Sequence, residues 1–204
     1  MIYDVVIIGG SSAGISCALI LGSAHKKPFV TDKKIAVIAH QRASALQDGL
    51  YNNAYGIPAG TLGADLLNNT LEQLKNTYPQ IDCIENEKVL RIEKTLNDTF
   101  LVYTNKEHVL ETKLMVVATG NGTMNIEGLE TYVEPHRKSI TGKNRIQLKN
   151  TDHLVIPGIY VAGTLAGHRS QLAIAAGSGA MVATDILVLW NDSNETHAHD
   201  SIKK

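Results

Sequence analysis

The stretch VVIIGGSSAG, residues 5–14, constrains this chain more than any other. Val5 to Ile8 is β-branched throughout and too short for a buried helix, so it reads as a strand covered on both faces. Gly9 and Gly14 frame a turn. From Ser12 to Leu21 apolar residues keep a helical spacing, and Ser11 or Ser12 is placed to cap the exposed N–H groups of that helix. In a strand–turn–helix unit of this kind the helix start carries partial positive charge, and missing side chains let a phosphate approach the backbone. The expected ligand is a pyrophosphate. Gly9, Ser11 and Gly14 hold the three positions of a G-x-G-x-x-G fingerprint, with serine in the middle. That serine adds a Cβ where the pyrophosphate approaches, and its hydroxyl can donate to a phosphate oxygen. The competing reading is a βα turn that binds nothing, because small residues also permit close packing of helix on strand.

Two runs compete for the second parallel strand, PFVTD and IAVIA. An acid at the end of that strand, about twenty residues past the glycines, often holds a ribose hydroxyl. Asp32 has that spacing. PFVTD is short and begins with proline, whereas Ile35 to Ala39 has the Val and Ile content of a buried strand and is favoured. On that register the acid position falls at His40, leaving Gln41 or Arg42 to serve the ribose.

Residues 51–63, YNNAYGIPAGTLG, read as a loop, followed by an amphipathic helix from about Ala64 to Asn76. IDCIENE, KVLRIEK, TFLVYT and HVLETK alternate apolar and polar residues, which predicts a meander of short antiparallel strands. LMVVATGNG then reads as a separate apolar strand ending at a glycine turn. EPHRKSITGKNRIQLKN is the most basic stretch and reads as a solvated connector. After it come a strand, a glycine turn and an Ala/Gly-rich helix. The polar tail 191–204 reads as frayed, and its His197 and His199 as solvated, so no metal site is expected.

A net charge of −1 with interspersed signs gives no footprint for nucleic acid. No leader is recognised and no apolar run is read as long enough to span a bilayer, so the expectation is cytoplasmic with no membrane contact. Cys17 and Cys83 form neither a disulfide framework nor a CxxC pair. Cys17 reads as a small buried apolar residue.

Three segments together resemble the FAD-binding domain of the thioredoxin-reductase-like flavoproteins, the pyridine nucleotide-disulfide oxidoreductases. VVIIGGSSAG resembles their pyrophosphate loop and VVATG, residues 116–120, their return strand. GIYVAGTLAG with QLAIAAGSGAMVA resembles their flavin-holding C-terminal motif. The resemblance implies an α/β Rossmann-like FAD/NAD(P)-binding three-layer fold, with a parallel sheet and an inserted antiparallel β-meander. It implies a single domain over 1–190, with segments 1–123 and 150–190 joined by a short connector, 124–149.

It also implies FAD as cofactor. Gly9, Ser11, Ser12, Ala13 and Gly14 would meet the pyrophosphate, and His40 and Gln41 lie at the adenosine ribose. Asn53 would lie near the isoalloxazine, with Thr119 and Gly120 in the return turn. Gly163 and Thr164 would touch the ribityl chain, and Gln171 and Leu172 the pyrimidine edge, with His168 and Arg169 adding positive charge beside it. Family members carry Asp where this chain has Thr164. They also insert a nicotinamide domain after the Ala-Thr-Gly strand, where this chain has only about thirty residues against the hundred or so a domain needs.

No residue reads as a dedicated general base or nucleophile, so the flavin would be the reactive group. The first functional reading is therefore a flavoprotein oxidoreductase reduced by a partner protein or small reductant. His136, Arg137, Lys138, Lys143 and Arg145 would meet an acidic electron donor. Relatives pair through their FAD domains, so a homodimer is expected. The alternative is a noncatalytic nucleotide-binding or interaction module.

Overall fold

The computed structural model describes residues 1–41, 44–140 and 142–198; Arg42 and His199 lie outside them. The chain runs β1 (Ile2–Ile8), α1 (Ser12–Ser23), β2 (Ile35–Ala39), a ribbon of β3 (Leu50–Tyr51) and β4 (Thr61–Leu62), and α2 (Gly63–Thr77). There follow β5 (Asp82–Glu85), β6 (Val89–Lys94), β7 (Phe100–Thr104), β8 (Val109–Val117) and a second ribbon, β9 (Val133–Pro135) with β10 (Ile146–Leu148). β11 (Leu154–Ile156), β12 (Ile159–Val161) and α3 (Leu172–Trp190) complete it.

Five strands lie parallel in the order β5-β2-β1-β8-β12, with β11 antiparallel outside β12. β2 pairs with β1 from Val5 opposite Ile35 to Ile8 opposite Ile38, so IAVIA is the second strand. PFVTD is a turn with Asp32 exposed, at the far end of β2 from the glycines. Strand order reverses at β1, whose successors in the sheet lie on its two sides. The carboxyl ends of all five strands open on one edge, where such folds place ligands.

Two strand assignments change. Asp82 to Glu85 is no meander strand: it pairs parallel with β2 as the sheet's edge. HVLETK and LMVVATG form one strand, β8, whose two halves have different neighbours. Its first half pairs antiparallel with β7, from Val109 to Thr112, and its second pairs parallel with β12, from Met115 to Val117. The alternating half has one face outward and the uniformly apolar half is buried on both, which is why the texture changes within one strand.

Side chains alternate across β1 and so split the core. Val5 and Ile7 pack with α1 and α3, while Val6 and Ile8 pack against the meander and the segment leading to β10. That segment is more than a solvated connector, because Ile126, Leu129, Gln147 and Leu148 are buried. The described part of the tail is also held: Lys27 donates from Nζ to the Thr196 hydroxyl at 3.2 Å, and Ala198 packs against the helix-side core. α3, at 19 residues, is long and apolar enough to cross a membrane by length and composition, contrary to the sequence expectation. It instead lays Gly179, Val182, Ala183, Ile186 and Leu187 into the core.

Asp4 anchors the start of β1. Its carboxylate accepts from the Lys34 N–H at 2.9 Å and from Lys113 Nζ at 3.0 Å, with Lys33 at 3.6 Å. Burial alone pushes this acid up, but the Lys34 N–H and the lysines outweigh it and hold it below the usual 3.8. A folded value below the unfolded one gives stability that is present above 3.8 and lost as pH falls below it. Asp4→Asn is expected to cost about 1–2 kcal/mol in urea unfolding near neutral pH, a difference that shrinks on acidification. An equal cost at low pH would show that the ion pairs are not responsible.

Candidate functional site

A cleft of about 500 Å³ runs along the carboxyl edge of the sheet. Ile8, Ile38, the Glu87–Val89 segment, Ala118 and Ala162 line it, so each of the five parallel strands delivers a wall residue at or just past its end. The turn after β1 forms its floor. Gly9 has φ +126°, and a Cβ there would strike the Ala118 carbonyl; a Cβ at Gly10 would lie 2.5 Å from that of Ala39. Gly14 lies beneath, where a Cβ would strike the Gly9 carbonyl.

Ala13 is the meeting point of distant segments. A Cβ at Gly163, which has φ +73°, would come within 3.0 Å of the Ala13 Cβ, and one at Gly179 would strike the Ala13 carbonyl. The first residues of α1 and of α3 therefore both reach the cleft, as Ser12 and Ala13 on one side and Leu172 and Ala175 on the other. Neither helix has an acid in its first turn to neutralise its N–H groups. Ser11 does not cap α1, because its hydroxyl pairs with that of Ser44 at 2.9 Å. The result is a long trough with two helix N-termini and three glycine turns, a cradle for an extended anionic ligand that a Cβ at Gly9 or Gly163 would disturb.

Of the residues picked out from sequence, Gly9, Ser11, Ser12, Ala13, His40, Gln41, Thr119, Gly120, Gly163, Thr164, Gln171 and Leu172 line the cleft together. Gly14 supports it from below. Gln41 acts as a brace: its Nε2 donates to the Gly10 carbonyl at 2.8 Å and to that of Leu67 at 3.0 Å, which uses its amide hydrogens. Asn53 stands apart, exposed on a loop that the β3–β4 ribbon turns outward and the Gly60 N–H closes by donating to Asn52 Oδ1 at 2.8 Å. Tyr51, on the ribbon itself, lines the cleft in its place.

His168 and Arg169 also miss the cleft lining. His168 turns back toward His153, and burial, His153 and neighbouring cations hold it below the usual 6.5, so it carries no charge to the site. Of the basic group His136, Arg137, Lys138, Lys143 and Arg145, all but His136 are exposed. His136 is buried, with Nε2–H donating to the Thr164 and His168 carbonyls at 3.0 and 3.2 Å. Arg137 donates to the Ala166 carbonyl at 3.1 Å, and Arg145 lines the cleft mouth. Cys17 is fully buried and its thiol pushed up by burial, as an inert core residue should be.

Glu87, Lys88, Asn125 and Tyr51 line the cleft and went unnoticed in the sequence; Arg145, read there as a donor-docking residue, joins them in the lining. Glu87 is buried and accepts from His108 Nδ1 at 3.0 Å. Its place one strand beyond β2 was hidden by the reading of Asp82–Glu85 as meander.

The profile of the pyridine nucleotide-disulphide oxidoreductases matches residues 3–176. Ferredoxin–NADP reductase 1 of Listeria monocytogenes serovar 1/2a is 32% identical over 162 residues, covering 79% of this chain and 47% of that protein. The ferredoxin–NADP reductase of Leuconostoc citreum is 26% identical over 206 residues, covering 99% and 54%. The chain thus spans about half the length of these curated relatives. An oxidoreductase from Agrobacterium tumefaciens superposes with TM-score 0.70 at 15% identity, covering 95% of this chain and 98% of that one. A ferredoxin-flavin thioredoxin reductase from Clostridium acetobutylicum does so at 0.67 and 17%, covering 94% and 98%. These two likenesses establish the fold.

Proposed function

We propose, from the premise that this chain belongs to the pyridine nucleotide-disulphide oxidoreductase family, that it binds FAD in the cleft and acts as an oxidoreductase whose electrons come from a partner protein or small reductant. The family is FAD-dependent. The observation that carries the reading is the convergence at Ala13 of the Gly9–Gly14 turn, near one end of the chain, with the Gly163 turn and α3, near the other. The residues present fit the cofactor: N–H groups of Ser11, Ser12 and Ala13 would hold the pyrophosphate, Gly163 and Thr164 the ribityl chain, and Gln171 and Leu172 the pyrimidine edge. When bound, FAD supplies the electron-transfer chemistry that no side chain here supplies.

Heat-released supernatant of the purified protein is expected to contain FAD and no FMN, because the first turn serves a diphosphate. Failure of apo protein to take up excess FAD in calorimetry would sink the reading. Thr164→Asp is expected to tighten FAD by about 1 kcal/mol, by making a ribityl hydrogen bond charge-assisted. Unchanged or weaker affinity would mean that residue 164 does not face the ribityl chain.

The relatives' names point to a ferredoxin as the protein partner. A cytoplasmic homodimer completes the proposal, supported by two free cysteines and by an α3 face on which Ile174, Met181 and Leu189 are 40%, 56% and 47% exposed. Light scattering that gives a monomer mass at micromolar concentration would remove the dimer. A second reading, a binding module without redox turnover, is favoured by Thr164 in place of the family's acid and by the short segment between β8 and β11. A bound flavin that no donor reduces would support it.

A further inference from the structure

Behind the Gly163 turn lies a cluster of side chains that does not touch the cleft. Ser178, on the buried face of α3, accepts the Gly163 N–H at 2.8 Å. Its Oγ lies 2.9 Å from His153 Nε2, which in turn lies 3.0 Å from His168 Nε2. His153 is only 4% exposed and sits in a tight corner with φ +70°. Its Nδ1 is buried and has no hydrogen-bond partner among the described residues.

That orphan nitrogen fixes the protonation of the cluster. A proton on Nδ1 would be a buried donor without an acceptor, so neutral His153 carries its proton on Nε2, facing Ser178 and His168. His168 Nε2 must then be the acceptor. A further proton has two places to go: His168 Nε2, where it would face another N–H across 3.0 Å, or His153 Nδ1, where nothing receives it. The first sets two N–H groups against each other and drives the rings apart; the second leaves a charged N–H buried without an acceptor, so both destabilise the closed cluster. His153 supports Ser178, and His168 sits two residues before the Ser170–Leu172 stretch that lines the cleft, so both ends of the strain reach the binding site.

We propose that the His153–His168 pair makes FAD binding pH-dependent: the neutral pair holds Ser178 against Gly163 and keeps the cleft formed, and its protonation loosens the turn and expels the cofactor. His153 is a positioning residue in this scheme. The inference rests on the FAD reading above.

Burial and the neighbouring cations act in the same direction, against Asp152. Burial first, and then Arg137, lower His153, with Asp152 opposing; burial, His153, Lys138, Arg137 and His136 all lower His168. From the segment after β9, His136 contributes a ring whose Nδ1 accepts the Lys138 N–H at 3.1 Å and so holds no proton. From α3, Asp185 interacts with Asp152, and burial and Asp152 push it up. Both histidines titrate below the usual 6.5, so the neutral pair is complete above that pH and is lost as pH falls beneath it.

The test is FAD affinity by calorimetry across roughly pH 5 to 7.5 for wild type and His168→Gln, whose amide can still accept from His153 but cannot titrate. Wild type is expected to weaken about tenfold or more over this range, and His168→Gln to keep its higher-pH affinity and change less than about threefold. A flat wild-type profile, or the full pH dependence retained in His168→Gln, overturns the proposal. Imidazole ¹⁵N spectra of the apo protein give an answer independent of FAD: His153 protonated on Nε2 alone, and the two rings titrating together with a shift of the Gly163 amide. Rings that titrate separately, with no response at Gly163, also overturn it. Absence of FAD binding at every pH with coupled titration intact would locate the failure in the cofactor reading.

Discussion

Gly14→Val is expected to leave no measurable FAD binding in calorimetry and to lower stability by about 3 kcal/mol or more. A Cβ at this position would strike the Gly9 carbonyl, a backbone atom held by strand β1, and would lie 3.4 Å from the Ile7 side chain. No rotamer change relieves such a contact, so either α1 withdraws from the sheet or the Gly9 turn opens. Withdrawal of α1 also disturbs α3, because Gly179 packs against the carbonyl of neighbouring Ala13. One small side chain therefore damages both helix N-termini that frame the cleft. Gly177 on the outer side of α3 is the control, since a Cβ there meets nothing within 4 Å. Gly177→Ala is expected to be neutral or to stabilise by up to about 1 kcal/mol through helix propensity. A Gly14→Val protein that melts like wild type and binds FAD would show that the turn is not the cofactor site.

The second large effect concerns electrons. The FAD-loaded protein is expected to show no NADPH-driven reduction of a disulfide substrate above background, while accepting electrons from an acidic donor protein in a salt-sensitive reaction. Between β8 and β11 the described residues form one 3₁₀ turn and the β9–β10 ribbon, too little for a nucleotide domain of about a hundred residues. The ribbon is bound to the site: His136 follows β9 and donates to the Thr164 carbonyl, and Arg137 donates to the Ala166 carbonyl at 3.1 Å. Thiol exchange lacks its reagents, because Cys17 is buried in α1 and Cys83 sits alone on β5, its thiol pushed up by burial and by Glu85. Of the basic residues read as a donor-docking patch, Arg137, Lys138, Lys143 and Arg145 are exposed and His136 is not. Stopped-flow reduction by ferredoxin at rising salt measures the effect. Rapid direct reduction by NADPH, with no response to any acidic donor, would overturn the account.

The sequence determined the parts that local physics fixes. A β-branched run followed by Gly9, Ser11 and Gly14 allows little besides a strand, a tight turn and a helix, and that unit stands as read. IAVIA outcompeted PFVTD because a strand buried on both faces needs an unbroken apolar run. Composition also marked the two glycine turns at Gly120 and Gly163, whose φ values are +84° and +73°.

Only the tertiary structure decided what those parts meet. Whether β5 joins a meander or the parallel sheet depends on its partner β2, 46 residues earlier in the chain, and its alternating apolar and polar sequence suits an edge strand of either kind. Asn53 and Tyr51 differ by two residues in a polar loop, yet the β3–β4 ribbon turns one outward and the other into the cleft. Gln41 became a brace because Gly10 and Leu67 both offer carbonyls within its reach. The His153–Ser178–His168 cluster joins residues that no motif connects, since hydrogen bonds between side chains depend on burial and direction, which spacing along the chain does not encode. Local propensity writes itself into neighbouring residues; the convergence at Ala13 exists only once the sheet has brought both ends of the chain to one edge.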